Sequence, residues 1–378
     1  MAINKSSYNI DNIIIISSAI NGTGGGNTHL NYLTRYWKNN GIKIDIVSNK
    51  KFNKFNLLNN IKYSFISIDK LIKLNNISIK KILSADIILS ASPYPADLFL
   101  SIRLAKKYNK KIMCYFHHIV PGLLSHPIRR GLLRTLLNII YFKFALFIVK
   151  NNHIAIFLDH PKTLKNSKIK VYEDLDAIDT KLLNKRLNKS KNIIKVYDLC
   201  FIGRVTKPKG IIDLIKVARM LYDDGLNMKI AIVGAYNNVM KIKLDKLINR
   251  YNLKNNFVFF GYVNNEKKYQ ILSESKIFIS LSYEEGWNIS VMEAASLSIP
   301  IIAYRLPAYS YLSDNYFSAT LGDINNIKIL IECLINNTEK YDTYTNNAKK
   351  LVDAYNYQAI AAEQLKYIND FLTNWQHT

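Results

Sequence analysis

The chain has 378 residues, of which 49% are hydrophobic and 21% are charged, and its formal net charge is +24. This length exceeds what one hydrophobic core usually serves, and this composition excludes a disordered chain, so two globular domains are expected. The three cysteines are Cys114, Cys200 and Cys333; they are too few and too widely spaced for a disulfide framework, and they indicate buried thiols in a reducing compartment such as the cytoplasm.

The positive charge is concentrated in the first half of the chain. Residues 1–190 contain 30 Lys+Arg and 10 Asp+Glu, whereas the remaining residues contain 22 and 18. Such a field attracts anionic lipid, nucleic acid or another polyanion. A biased composition that only solvates the surface is the alternative, but it would predict a similar excess in both halves.

Apolar segments near the start and in the middle of the chain do not indicate a signal peptide or a spanning helix. The run 13–16 is too short, and the longer region 132–149 contains Arg134, Asn138 and Lys143, which are costly inside a bilayer. The stretch 127–150 could instead dip into a membrane interface, although an ordinary helix and strand of the first domain would fit it equally well.

The first half alternates apolar strand patterns with amphipathic helices, as parallel α/β domains do. A glycine-rich loop, 22–27, separates the first strand from the first helix, and Gly41 ends that helix. The predicted strands are 12–17, 42–47, 86–90 and 111–116, and the predicted helix is 28–39.

The alternation restarts after a polar and basic stretch, 182–195, which is the best candidate for an interdomain linker. The pattern predicts strands 196–202, 228–233, 257–260, 277–281 and 301–304, helices 211–222, 239–251 and 266–274, and a long closing helix over about 355–375. Two doubly wound domains in tandem follow, and a ligand is expected in the cleft between their strand ends.

An acidic loop follows strand 277–281. Glu285 stands before Gly286 in this loop, and Glu293 follows eight positions later on a segment compatible with a helix. The loop after a strand and the amides that open the next helix can bind an anion, while two carboxylates accept hydroxyl groups. A nucleotide-sugar, with hydroxyls at both ends and a diphosphate between them, fits; two glutamates at this spacing also arise by chance.

A basic loop follows strand 196–202. It begins at Gly203-Arg204 and ends at Lys209-Gly210, just before a predicted helix. A guanidinium can bind two phosphate oxygens and an ammonium adds a point charge, so the loop predicts a diphosphate site. An ordinary basic turn is the alternative.

Two features of the first half are weaker candidates. The triplet Gly24-Gly25-Gly26 lies where a phosphate could approach the backbone, but it lacks the spacing of a dinucleotide fingerprint. His117 and His118 follow strand 111–116, and we favour His117 as the one that reaches a sugar hydroxyl or the reacting centre.

Evidence for a metal site is slight. Asp174-Leu175-Asp176 could hold a divalent cation through carboxylate oxygens, but such triplets are common and this one has no strand-end context. The sequence has no His/Cys set with zinc-like spacing. No metal site is therefore predicted.

Taken together, these motifs resemble the retaining glycosyltransferases of family 4, which have the GT-B fold. The acid-x7-acid signature matches Glu285 and Glu293, and the Gly-Arg and Lys-Gly elements match residues 203–204 and 209–210. Looser matches are Gly24-Gly25 with His29-Leu30, Val233-Gly234, and residues 260–263. The resemblance spans roughly residues 12–360.

The resemblance implies an α/β chain of two Rossmann-like domains facing across a cleft, with an acceptor-side domain over residues 1–187 and a nucleotide-sugar domain over 188–355. Residues 356–378 would form a helix that packs back on the first domain. Implied site residues are His117 and Glu285 for catalysis and, for binding the sugar donor, Gly24, Gly25, Gly26, Arg204, Lys209, Val263, Gly286, Trp287, Asn288, Ile289 and Glu293.

The implied reaction transfers a hexose from a UDP- or GDP-sugar, with retention and without a metal or other cofactor, to a lipid-linked or membrane-proximal glycan. Such an enzyme would work in surface polysaccharide synthesis on the cytoplasmic side of the membrane. The chain has Trp287-Asn288 where the family more often has Phe-Gly, so the resemblance does not identify the donor sugar. Rival hypotheses are an epimerase or phosphorylase of the same fold and a basic nucleic-acid-binding module, although no aromatic-basic RNA motif supports the latter.

Overall fold

In the computed structural model, the described residues are 9–17, 25–48, 64–67, 76–117, 132–158, 164, 169–173, 178–179, 193–312, 315–337, 339, 341–344 and 355–374. They form two compact units. The first contains the described residues up to Ile178 and those from Tyr355 onward, and the second contains those from Asp179 to Tyr344. The predicted domain boundary at residues 187 and 188 lies outside the described residues and stays a prediction.

Each unit is built on one parallel β-sheet. The first sheet contains β1 (Asn12–Ile16), β2 (Lys43–Ser48), β3 (Ser64–Ser67), β4 (Ile87–Ser90), β5 (Lys111–Phe116), β6 (Ala155–Leu158) and β7 (Val171–Glu173). The second contains β8 (Tyr197–Ile202), β9 (Ile230–Val233), β10 (Phe257–Gly261), β11 (Ser275–Ser280), β12 (Ile301–Tyr304) and β13 (Phe317–Ala319).

Helices connect the strands and cover the sheets. They are α1 (Gly25–Asn39), α2 (Asn76–Leu83), α3 (Pro95–Tyr108), α4 (Leu132–Asn151), α5 (Ile211–Asp223), α6 (Asn238–Arg250), α7 (Asn265–Ser273), α8 (Ile289–Ser296), α9 (Ile324–Asn336) and α10 (Tyr357–Asn374). Short 3₁₀ turns span Lys207–Lys209 and Pro307–Leu312.

Several inner strands are buried along their whole length because both faces of a parallel sheet are covered. All four residues of β4, β9 and β12 are buried, as are Ile13–Ile16 of β1. The predicted strands and helices recur with ends shifted by a few residues. The short strands β3, β6, β7 and β13 were not predicted.

The closing helix, α10, belongs to the first unit. It packs against α1, where the indole nitrogen of Trp37 donates a hydrogen bond to the carbonyl of Ala361 at 2.8 Å. The hydroxyl of Tyr115 on β5 donates to Gln364 at 2.7 Å. A buried polar contact therefore ties α10 to the centre of the first sheet.

In both sheets, the order in which strands are added along the chain reverses between two inner strands. The first has the order β3-β2-β1-β4-β5-β6-β7 and the second β10-β9-β8-β11-β12-β13. Connections leave in opposite directions from β1 and β4 in the first sheet, and from β8 and β11 in the second. Such switch points leave a crevice at the carboxyl ends of the strands, where ligands of open α/β sheets bind.

Among the described residues, none of the helices is both long enough and apolar enough to cross a bilayer.

Candidate functional site

The two predicted loops of the second unit flank its switch point and dock on each other. The basic loop follows β8, and the acidic loop follows β11. The amide of Tyr283 donates to the carbonyl of Pro208 at 2.8 Å. Gly210 has a φ of 72°, and a Cβ there would lie 1.9 Å from the carbonyl oxygen of Leu281. Only glycine fits this crossing, which explains the Lys-Gly element.

This docking brings together two of the predicted site residues. The ammonium nitrogen of Lys209 lies 2.5 Å from Oε1 of Glu285, and the Glu285 side chain is almost fully buried. An ammonium carries three N–H donors, so a contact with one carboxylate oxygen leaves two donors for other acceptors. Lys209 and Glu285 can therefore act on the same ligand from one point.

Asn288 organises the acidic loop. Its side-chain amide nitrogen lies 3.1 Å from Oε1 of Glu285, from Oγ of Ser280 and from the hydroxyl of Tyr309. Its side-chain carbonyl caps α8 by accepting from the amide of Ser290 at 3.1 Å. Asn288 thus holds Glu285 in place while it starts the helix that carries Glu293.

The phenol of Tyr309 is protonated at neutral pH and can take part in this network as a donor. Burial, reinforced by the charge of Glu285, raises the pKa of Tyr309 well above its usual value. The hydroxyl lies 3.0 Å from Oγ of Ser280. Neither Ser280 nor Tyr309 was predicted, because a serine at a strand end and a tyrosine in a 3₁₀ turn carry no sequence signal of their own.

Glu293 lies on α8 and is buried, with a side chain only 2% exposed. Its Oε1 accepts from the ammonium of Lys268 at 2.6 Å and from the hydroxyl of Tyr269 at 3.0 Å. Its Oε2 is buried and has no hydrogen-bond partner within the described part of the chain. A buried acceptor without a partner is costly, so this oxygen suits the hydroxyl of a ligand.

Lys268 was not predicted from the sequence. It lies on α7, whose exposed residues are polar. The sequence gives no reason to choose Lys268 over the neighbouring Lys267. Only the packing of α7 beside α8 brings its ammonium to Glu293.

Val263, a predicted binding residue for the sugar donor, lies in the loop between β10 and α7. Asn264 caps α7 by accepting from the amide of Lys267 at 2.8 Å. Tyr262 is exposed, and Lys268 and Tyr269 follow within the first turns of the helix. The Val263 loop is therefore connected to the helix that contacts Glu293.

The remaining glycine motif of the second unit joins the loops after β8 and β9. A Cβ on Gly234 would lie 1.8 Å from the carbonyl oxygen of Gly203, and the amide of Val205 donates to the carbonyl of Ala235 at 3.0 Å. Arg204 is exposed at this edge. Lys207 is close enough to Lys243 on α6 that its charge lowers the pKa of Lys243. This edge of the sheet is therefore basic.

The other predicted residues of the acidic loop open α8. Gly286 and Trp287 are partly buried, the Trp287 ring lies 5.6 Å from that of Tyr311, and Ile289 is the first residue of the helix. These residues follow Glu285 directly in the chain, and their binding role stays a prediction.

In the first unit, Gly26 and His117 are in contact. A Cβ on Gly26 would lie 2.7 Å from Nε2 of His117. That nitrogen lies 3.1 Å from the carbonyl oxygen of Ala91, which can only accept, so the contact requires a proton on Nε2. The imidazole also stacks on Tyr115 with ring centres 5.8 Å apart.

Other predicted residues of the first unit lie at or beyond the edges of its described segments. Gly24, His118 and Asp174-Leu175-Asp176 lie outside the described residues, and Gly25 is the first residue of α1. Within the described ranges, no group of three or more His, Cys, Asp or Glu side chains could hold a metal ion.

Comparison with known proteins identifies the fold. The chain has the α/β fold of GT-B glycosyltransferases, with two Rossmann-like units on parallel sheets. It is similar to the solved structure of Anabaena HepE in complex with UDP and glucose, with a TM-score of 0.74 and 14% identity over 95% of this chain and 100% of that one. At this identity the likeness establishes the fold.

A family model and several relatives match part of the sequence. Residues 184–351 match the family model described as glycosyl transferases group 1. An uncharacterized glycosyltransferase of Methanocaldococcus jannaschii is 34% identical over 43% of this chain and 40% of its own length. The O-antigen chain mannosyltransferase RfbU of Salmonella typhimurium is 25% identical over 59% of this chain and 64% of its own length. The chain thus spans less than two thirds of either relative.

Proposed function

We propose that this protein is a retaining glycosyltransferase of family 4 that moves a hexose from a UDP- or GDP-sugar to a glycan acceptor. The observation that carries the proposal is the contact between Lys209 and Glu285, which joins the two loops at the switch point of the second sheet. A cation and a carboxylate at that position suit a ligand with both phosphate and hydroxyl groups. Similarity to an O-antigen chain mannosyltransferase supports a role in surface polysaccharide synthesis.

In the proposed complex, each part of the sugar donor meets a different group. The ribose hydroxyls donate to Oε2 of Glu293, which is buried and has no partner within the described residues. Arg204 and Lys209 bind the diphosphate, and the backbone near Val263 meets the base. Glu285 and the amides of residues 286–289 hold the sugar and its phosphates, with the Trp287 and Asn288 side chains beside them.

The proposed reaction takes place on one face of the sugar. The bond between the anomeric carbon and the phosphate oxygen breaks, the acceptor oxygen bonds to that carbon, and the acceptor proton passes to the departing phosphate. The protein then contributes positioning and charge stabilisation: Arg204 and Lys209 offset the negative charge that grows on the leaving diphosphate. No metal is required by this scheme, and metal independence stays a prediction.

In the first unit, we propose that His117 contacts the sugar at the reacting centre and that the loop 24–26 approaches the sugar donor. The close contact between Gly26 and His117 supports a common role for the two. We further propose that the acceptor is lipid-linked or membrane-proximal and that the enzyme works on the cytoplasmic side of the membrane, without nucleic acid as a partner.

Titration calorimetry with UDP- and GDP-sugars tests this assignment directly. Lys209→Ala and Glu293→Ala should each weaken binding of the preferred sugar donor by about tenfold or more, since a hydrogen bond to a charged group contributes about 1.5–3 kcal/mol. His117→Ala should mainly lower kcat. Lys241→Ala is a matched control, because this lysine pairs with Asp245 on the surface of α6.

Normal binding of the sugar donor by both the Lys209 and the Glu293 variants would refute the site. A second measurement separates the transferase from the rival enzymes: the sugar donor is incubated without an acceptor and its fate is followed by NMR. A transferase only hydrolyses it slowly, whereas conversion to the epimeric sugar would identify an epimerase. In a separate incubation with a glycan and inorganic phosphate, phosphate-dependent cleavage of the glycan would identify a phosphorylase.

A further inference from the structure

Helix α4 of the first unit has an exposed apolar stripe. The large side chains of Leu137, Ile140, Phe144 and Phe147 are between 47% and 62% exposed. At 100° per residue these four positions fall within a quarter of the helix circumference. The opposite face, with Phe142, Ala145 and Val149, is buried in the core of the unit. The stripe is therefore surplus to what the fold needs from this helix.

The apolar surface continues onto α3. The Phe99 ring is exposed and lies 6.5 Å from that of Phe144, edge to face. The exposed Tyr94, which precedes α3, stacks on Tyr141 of α4 with ring centres 6.0 Å apart. Contiguous apolar surface on two neighbouring helices marks an interaction site, whereas single exposed apolar residues do not.

Cations border this surface. Lys143 and Lys150 are exposed on α4 beside the stripe, and Arg103 and Lys106 are exposed on α3, one and two turns after Phe99. The sequence from residue 98 to residue 158 contains ten Lys+Arg and no Asp or Glu. The surface therefore combines apolar groups with charge of one sign.

We propose that this surface, formed by the exposed faces of α3 and α4 and called here the α3–α4 face, docks on an anionic lipid membrane. Aromatic and aliphatic side chains would enter the boundary between headgroups and acyl chains, while the lysines and arginines stay level with anionic headgroups. Two copies of the chain would bring like charges together at this face, which disfavours self-association. The inference stands on the surface alone and does not depend on the proposed activity.

Vesicle flotation tests the proposal. The full chain should float with vesicles of phosphatidylcholine and phosphatidylglycerol, and much less with phosphatidylcholine alone. Phe144→Ser combined with Phe147→Ser should lower the partition into the mixed vesicles by about tenfold or more, because two aromatic side chains that would enter the membrane are lost. Lys143→Glu combined with Lys150→Glu should weaken it as well and reduce its dependence on salt.

The matched control is Val239→Ser combined with Ile242→Ser, which removes two apolar side chains that are 77% and 57% exposed on α6 of the second unit. This double variant should float like the wild type. Circular dichroism checks that each variant folds, as expected for exposed positions. Tryptophan emission of Ile140→Trp should shift to the blue when the mixed vesicles are added.

Several results would overturn the proposal. One is a wild-type protein that does not bind the mixed vesicles, and another is equal flotation of the Phe144/Phe147 variant and the wild type. A concentration-dependent dimer in light scattering, dissolved by the same two substitutions, would assign the α3–α4 face to a second copy. A wild-type protein that binds the mixed vesicles but transfers no sugar to a soluble acceptor would contradict the proposed function and not the membrane proposal. Failure of the one proposal can therefore be distinguished from failure of the other.

Discussion

Lys209 and Glu285 lie 76 positions apart in the sequence, and their side chains are 2.5 Å apart in the structure. The contact is possible because β8 and β11 are adjacent in the second sheet, and the loops that leave their carboxyl ends meet at the switch point. A cation from one loop and a carboxylate from the other are thereby held at a position where open α/β sheets bind ligands.

Glu293 and Lys268 form a second, more buried ion pair, and the first prediction concerns its stability. Lys268→Met removes the ammonium and leaves the Glu293 carboxylate buried and uncompensated. We expect a loss of about 3–5 kcal/mol in the free energy of unfolding, the usual effect of breaking a buried pair from one side. Urea denaturation measures it.

The combined variant Lys268→Met with Glu293→Gln should recover most of that loss, because no charge is then left buried. Lys276→Met is the matched control, since Lys276 pairs with Asp198 at a more exposed site and should cost less than about 1 kcal/mol. An equal loss in both single variants would contradict the special cost assigned to Glu293.

The second prediction concerns Gly26. Alanine in a helix is favoured over glycine, but here its Cβ must displace the imidazole of His117 from its contact with the carbonyl of Ala91. Because these two effects on stability oppose each other, we expect Gly26→Ala to change the melting temperature little while it lowers kcat by about tenfold, as misplacement of a positioned group does.

A double-mutant cycle tests the cause of that effect. In a His117→Ala background the imidazole is absent, so Gly26→Ala should have little further effect on kcat. If Gly26→Ala lowered kcat to the same extent with and without His117, the proposed link between the two residues would be wrong.

The third prediction separates the two roles of Asn288. Aspartate and serine both cap helices about as well as asparagine, so neither Asn288→Asp nor Asn288→Ser should cost much stability at the start of α8. The aspartate carboxylate, however, would face the carboxylate of Glu285 in place of an N–H donor. We expect Asn288→Asp to weaken binding of the sugar donor more than Asn288→Ser, measured by calorimetry; the reverse order would exclude repulsion.

The fourth prediction is a pH dependence of the contact between α10 and β7. The hydroxyl of Tyr172 donates to Asp370 at 3.0 Å, and this hydrogen bond, helped by Lys170, holds the pKa of Asp370 below its ordinary value of 3.8. A carboxylate with a lowered pKa stabilises the folded state above the unfolded-state pKa and loses that contribution as the pH falls through the folded-state pKa.

Asp370→Asn cannot titrate, so the difference in melting temperature between the wild type and this variant should be constant above about pH 5 and shrink below pH 3.8. Differential scanning calorimetry across that range measures the difference. A difference that grew as the pH fell would reverse the sign and reject the assignment.

Part of the fold and of the candidate site could be predicted from the sequence alone. The buried strand β12 and the last five residues of β5 appear as unbroken apolar runs, since a parallel sheet is covered on both faces. Gly210 and Gly234 could be named from the sequence as parts of motifs, but only the structure shows why they are needed: the backbone comes too close for a Cβ at both positions. Glu285, Glu293, Arg204 and Lys209 could be chosen because loops after parallel strands open toward ligands.

Tertiary structure decided which of those side chains touch. Nothing in the order of residues predicts that Lys209 pairs with Glu285, that Lys268 pairs with Glu293 or that Gly26 makes room for His117, because each pair joins elements that become neighbours only when the strands are ordered in a sheet. The α3–α4 face is a similar case. Its composition is visible in the sequence, but which side of α4 is covered depends on the core against which the helix packs.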